Sequence, residues 1–198
     1  MSYTEIYVFG KDGYPQIFAE VQNAWRSAPA IWNKLEEKYL PPYLPEYAKN
    51  CGFQTAEEYN EFLGVKLRRF TTMSSEAMQD IWDLVTDDRV SIADKICLYT
   101  TFDKCLIRYE DIPAVVDAFR SFEGETSLKE QADILEKIYS VEGCIAVGWN
   151  QTSVNGDTWR NYTYDEETDK SIAYNCLTDT EHYFLFDNLN KVDEEGAY

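Results

Sequence analysis

Apolar and polar positions change their spacing twice along the chain. From Thr4 to Phe9 (T-E-I-Y-V-F) they alternate among residues that favour extended backbone, which predicts a strand. Lys11-Asp12-Gly13-Tyr14-Pro15 then supplies turn residues that stop it. From Gln16 the spacing predicts a helix with Ile17, Val21, Ala24 and Trp25 on one face. Ser27 and Pro29 separate it from a second helix, because an interior proline loses a hydrogen bond but is accepted in a first turn. That second helix carries Ile31, Trp32, Leu35 and Tyr39. Pro41-Pro42-Tyr43-Leu44-Pro45 reads as an extended linker between helices, ahead of an SH3-type ligand.

Helical spacing continues through the middle of the chain. Thr55-Ala-Glu-Glu58 is a capping box, and its helix should stop near Gly64. Ser74 or Ser75 opens a helix with Met78, Ile81, Trp82 and Val85 on one side. Ser91 precedes a longer one in which Ile92, Ile96, Tyr99, Phe102 and Leu106 share a face. Asp111 and Pro113 start another, carrying Val115, Val116, Ala118 and Phe119. Ser127-Leu-Lys-Glu130 is a second capping box, ahead of Leu135, Ile138 and Tyr139.

After Gly143 the period returns to two. Cys144 to Trp149 predicts an apolar strand, and Asn155-Gly156 is a hairpin signal that would pair Thr152 with Trp159 and Trp149 with Tyr162. Asp165 to Lys170 makes the next reversal, and Ser171 to Cys176 and His182 to Phe186 complete the strands. The pattern predicts an α+β fold with an N-terminal strand, a central cluster of about six helices and a C-terminal antiparallel meander of about four strands. The first strand is too short to stand alone and should join the C-terminal sheet. This makes 1–198 a single domain, the alternative being a helical subdomain over 15–140 and a sheet over 143–187.

Composition supports a packed core and excludes some partners. The 198 residues are 44% hydrophobic and 15% aromatic, against 18 Lys+Arg and 36 Asp+Glu, for a formal charge of −18. Enough apolar residues are present for folding despite that charge. An anionic duplex or membrane surface rewards Lys and Arg, so direct nucleic-acid binding and membrane attachment are not expected. The charge is uneven: residues 1–50 carry 5 basic and 6 acidic groups, and residues 151–198 carry 3 and 11. No apolar run approaches the roughly 20 residues of a membrane helix, and Met1 to Gly10 lacks the features of a signal peptide. Five widely spaced cysteines without a C-x-x-C pair read as free thiols in the cytoplasm, and the two glycosylation sequons (Asn150, Asn161) are then coincidental.

Candidate chemistry is sparse. His182 is the only histidine, so a histidine-based nucleophile system must use it, beside Glu181, yet no nucleophile lies at a recognisable spacing. With Asp103 and Glu110 these residues are the candidates for a carboxylate-based site. Asp165, Glu166, Glu167 and Asp169 share one turn, but Lys170 and Cys176 occupy the EF-hand glycine and bidentate positions, so no metal is expected. Phosphate-cradling and G-x-S-x-G motifs are absent, and no cofactor is implied. Lys66, Arg68 and Arg69 form the one basic cluster, read as balancing acidic neighbours.

The features converge on a non-enzymatic acidic interaction protein that binds a basic protein surface, as a nucleic-acid mimic or an immunity or inhibitor protein. Its expected partner-binding residues are Trp159, Tyr162, Tyr164, Asp165, Glu166, Glu167 and Asp169, aromatic anchors within acid. The alternatives are a carboxylate- or metal-dependent enzyme and a self-associating structural protein.

Overall fold

A computed structural model of the chain describes residues 3–23, 26–64, 75–152, 158–160, 162–178 and 180–189, with the side chains of 75–77 outside that description. Strand β1 (Tyr3–Phe9) forms where alternation predicts it, but the next segment corrects the helix expected from Gln16: Pro15–Gln22 is strand β2, antiparallel to β1. The Ile17–Val21 spacing of four that suggested a helix is also a multiple of two, so it fits either period. Ala24 and Trp25, also assigned to that helix, lie outside the described residues. Between Ile6↔Ala19 and Tyr7↔Ile17 the register slips, leaving Phe18 as the extra residue of a bulge.

The helices after Ser27 follow the sequence pattern closely. Helix α1 (Ala28–Tyr39) has Ser27 at its N-cap and proline in its first turn, and buries Ile31, Trp32 and Leu35. The connection at 41–45 is irregular, and a short helix, α2 (Glu46–Asn50), follows it. In α3 (Ala56–Leu63) the Thr55 hydroxyl accepts from the Glu58 N–H at 3.1 Å, and Gly64 ends the helix at φ +66°. The Glu58 carboxylate reaches one residue further back than expected, to the Gln54 N–H. Helix α4 (Ser75–Trp82) runs into a 3₁₀ turn at Asp83–Val85.

Helix α5 (Ile92–Tyr99) is shorter than the period suggests. The hydroxyls of Thr100 and Thr101 bond back to the carbonyls of Cys97 and Leu98, Lys104 takes φ +65°, and Cys105–Arg108 becomes strand β3. Phe102 and Leu106 therefore do not continue the α5 face. Cys105, Leu106 and Ile107 are all buried, so no alternation marked them as a strand. Helices α6 (Ile112–Ser121) and α7 (Leu128–Ile138) begin as expected. Ser127 does not cap α7 with its side chain: its hydroxyl donates to the Arg26 carbonyl at 3.2 Å, and Glu130 pairs with Arg26 at 3.5 Å.

The α+β class and the order of strand, helices and strands hold, and β1 joins the later strands. Strand β4 (Ala146–Gln151) lies between β1 and β3, so Trp149 pairs with Ile6 rather than with Tyr162. Asn155-Gly156 lies outside the described residues. Strands β5 (Tyr162–Asp165) and β6 (Lys170–Ala173) form a separate antiparallel ribbon. Strand β7 (Tyr183–Phe184) runs parallel to β3, and a final helical turn, α8, occupies residues 185–189. The main sheet has the order β2-β1-β4-β3-β7.

Registry divides this sheet into two faces. Ile6, Val147, Trp149 and Ile107 point into the large core with α1, α5, α6 and α7. The Trp149 indole N–H donates to Gln131 Oε1 at 3.1 Å, and its ring meets Phe119 edge-on at 6.2 Å. Phe9, Leu106 and Ala146 point the other way, into a smaller cluster with Trp159, Tyr174 and Cys176.

One polar junction ties α1 to α5. The buried Asp94 carboxylate accepts from Lys38 at 2.7 Å, Tyr39 at 2.5 Å and Ser91 at 2.9 Å. Burial alone would push this carboxyl up, but the bonds from Lys38, Tyr39 and Ser91 outweigh it and hold the group below its ordinary value. A depressed folded-state pKa gives stability that is present above the unfolded value and lost as pH falls through the folded one. Asp94→Asn should therefore lower unfolding free energy at neutral pH by about 1–2 kcal/mol and flatten its decline in acid, measured by urea unfolding across pH. An unchanged acid limb would show that the junction adds nothing.

Candidate functional site

Alternation along β4 leaves small residues, Ala146 and Gly148, on the face away from the helices. The chain returns across that face at residues 158–160 and 174–177. Trp159 lies so close over Gly148 that a Cβ there would stand 2.5 Å from the indole Cζ2. The indole N–H donates to the Trp149 carbonyl at 3.2 Å, and the ring meets Phe9 edge-on at 5.0 Å. His182 stacks on the Trp159 ring at 4.9 Å and 18°, with Tyr174 edge-on to His182 at 6.3 Å.

The second stem is fixed at the β1–β2 turn. Gly13, at φ +68°, accepts the Cys176 N–H through its carbonyl at 3.1 Å, and a side chain there would overlap Asn175. The Cys176 thiol is buried and donates to the Arg160 carbonyl at 3.5 Å. Trp159, His182, Tyr174 and Cys176 thus clasp the segments that lead into β5 and out of β6.

Beyond this clasp the β5–β6 ribbon is exposed on both faces. Cross-strand pairing sets Tyr162 opposite Ala173 and Tyr164 opposite Ser171, with Thr163 opposite Ile172 on the other face. Tyr162, Tyr164 and Ile172 are 59%, 58% and 47% exposed. The connecting turn is ordered by its own acids: Asp165 accepts from the Glu167 N–H at 3.0 Å and the Thr168 hydroxyl at 2.6 Å. The Thr168 hydroxyl and then the Glu167 N–H hold the Asp165 carboxyl below its ordinary value. The Tyr164 hydroxyl donates to the Asp169 carboxylate, leaving Glu166 and Glu167 outward on the exposed turn.

Six of the seven expected partner residues therefore lie on the ribbon, while Trp159 is packed at its base. Parallel pairing of β3 with β7 sets Cys105 opposite Tyr183, so Asp103 precedes one strand and Glu181 and His182 precede the other. Glu181 is bound to Lys104 at 2.5 Å, and His182 is in the aromatic stack, with Nε2 3.4 Å from the Thr158 carbonyl. Desolvation raises the Asp103 carboxyl. Glu110 lies apart, exposed on a 3₁₀ turn at Tyr109–Asp111 beyond Arg108, whose guanidinium makes a two-bond pair with Asp187. Open depressions of about 520 Å³ beside Pro41–Leu44 and about 470 Å³ beside Val8–Asp12 are lined by none of these four candidates.

Among the described residues, no group of three or more His, Cys, Asp and Glu side chains is placed to hold a metal ion. Burial pushes the Cys97 and Cys105 thiols far above their ordinary range. Lys66, Arg68, Arg69 and Asp179 lie outside the described residues. Sequence reasoning missed the parts that position the ribbon, namely Gly13, Gly148, Asn175 and the pairing role of Cys176. Gly148 did carry a signal, since a glycine inside an apolar strand marks close approach by another group.

Comparison with known protein families, curated proteins and solved structures finds no match. Trp159→Ala should cost about 3–5 kcal/mol, read from the urea midpoint, because it removes the ring that covers Gly148 and supports His182. A loss below about 1 kcal/mol, the value of one hydrogen bond, would mean that Trp159 is not a packing element.

Proposed function

We propose that this chain is a non-enzymatic acidic binding protein that receives a basic protein surface on its β5–β6 ribbon. The observation that carries the reading is the exposure of Tyr162, Tyr164 and Ile172 beside a turn bearing Asp165, Glu166, Glu167 and Asp169. Aromatic side chains with few rotatable bonds make efficient interface anchors, and acids around them steer a cationic partner. The charge bias points the same way, with 11 acidic against 3 basic groups in residues 151–198. A nucleic-acid-handling enzyme or a cationic toxin has the surface this reading requires, making the chain a nucleic-acid mimic or an immunity or inhibitor protein.

Other features fit this reading without carrying it. The five free thiols suit a reducing compartment such as the cytoplasm. No helix of the described residues is long and apolar enough to cross a membrane. The ribbon projects from a base held by packed side chains, so partner contact need not disturb the helical core.

The test is affinity capture from lysate with the wild type and ribbon variants in parallel, at low and high ionic strength. Tyr162→Ala and Tyr164→Ala should each weaken binding of the captured basic protein by about 2 kcal/mol. Replacing the four turn acids with Asn and Gln should slow association and reduce its salt dependence. Unchanged melting temperatures would show that these losses are local. A partner bound equally well by all variants, or no basic protein recovered at low salt, would refute the reading.

A further inference from the structure

The outer edge of the main sheet holds a second arrangement of acid and apolar surface. Strand β2 ends the strand order, and no other described strand pairs with its outer side. It carries Ile17 at 51% exposure and Phe18 at 39%. An open, partly apolar edge is a template for another strand, which proteins ordinarily cover or blunt.

The bulge determines what that edge presents. Ile17 and Glu20 are three residues apart, so in a regular strand they would point to opposite faces. Because Phe18 is the extra residue, Ile17 pairs with Tyr7 and Glu20 with Glu5, and all four side chains fall on one face. Glu5 is held there by the Tyr7 hydroxyl at 3.0 Å and the Asn150 amide at 2.8 Å. Glu20 is exposed directly opposite. Among the described residues neither carboxylate has a cation within ion-pair distance, and like charges directly opposite weaken a sheet. A lone charge would suffice to protect the edge; two opposed carboxylates beside an exposed isoleucine also form a receptor for a cation on an apolar stem.

We propose that β2 accepts an extended segment of a basic partner as a sixth strand, placing a Lys or Arg side chain at Glu20 and Glu5 and an apolar side chain against Ile17. Backbone bonds would give the affinity and alternate side chains the specificity, as in strand addition generally. The charge selects this occupant over a second copy. Another chain would bring a further −18 and its own Glu5–Glu20 pair to the same edge. The inference rests on the proposed preference for basic partners but concerns a surface separate from the β5–β6 ribbon.

Its test is an NMR titration of the isotope-labelled full chain with a blocked peptide repeating Lys-Thr-Val-Thr, which sets Lys and Val in turn on one face of a strand, and with the matching Glu-Thr-Val-Thr peptide. The Lys/Val peptide should shift the amides of Tyr3–Phe9 and Pro15–Gln22 and slow hydrogen exchange at β2, while the Glu/Val peptide should do neither. Glu20→Lys should weaken the Lys/Val peptide about tenfold or more, with Glu20→Gln intermediate. Neutralising Asp165, Glu166, Glu167 and Asp169 should leave the β2 shifts in place. Shifts confined to the ribbon would overturn the edge proposal and leave the ribbon reading standing; no response anywhere, with no basic partner captured, would overturn both. A dimer in sedimentation with β2 amides protected in the absence of peptide would assign the edge to a second copy and also overturn the proposal.

Discussion

Burial of β4 on both faces is the constraint from which the rest of the architecture follows. Trp149 fills the helical side, bonded to Gln131 and against Phe119, while the absence of a side chain at Gly148 admits Trp159 on the other. A sheet covered on one side only would leave Phe9 of β1, Leu106 of β3 and Ala146 of β4 facing water. The returning chain covers them, and its two stems must therefore meet the sheet at fixed places. The ribbon between those stems is carried outward as a consequence of how the second face is closed.

This separates two kinds of aromatic residue that composition alone cannot distinguish. Trp159, Tyr174 and Phe9 are committed to the cover, with their rings in contact with one another or with His182. Tyr162 and Tyr164 make no comparable packing contribution and stand in solvent beside the turn acids. The only histidine is likewise absorbed into the cover, and Glu181 into a pair with Lys104. Of the chemical candidates, His182 is thus held by packing and Glu181 by an ion pair while Glu110 stays exposed, and Trp159, expected at the surface, is packed into the cover.

Much of the helical layer was legible because its signals are local. Thr55, Gly64, Ser91 and the Ser27–Pro29 start act through bonds within a turn or two, and the observed boundaries follow them. The strands were less legible where burial erased alternation, as at Cys105–Ile107, or where a spacing of four served both periods, as at Ile17 and Val21. The Ser127 cap failed because Arg26, distant in sequence, supplies a carbonyl for its hydroxyl. Of the candidate site, the ribbon and its acidic turn follow from local pattern. Its clasp depends on Gly13, Gly148 and Cys176 meeting across the fold, which no spacing records.

The most direct test of the two-sided sheet is hydrogen exchange, residue by residue, in Gly148→Ala. If Trp159 closes the second face over Gly148, the added methyl displaces the indole and releases both stems of the ribbon. Exchange at Tyr162–Asp165 and Lys170–Ala173 should then accelerate about tenfold or more, the factor for roughly 1.4 kcal/mol of lost local stability, while α5, α6 and α7 keep their protection. Uniform acceleration across helices and ribbon, or no change at the ribbon, would contradict the account.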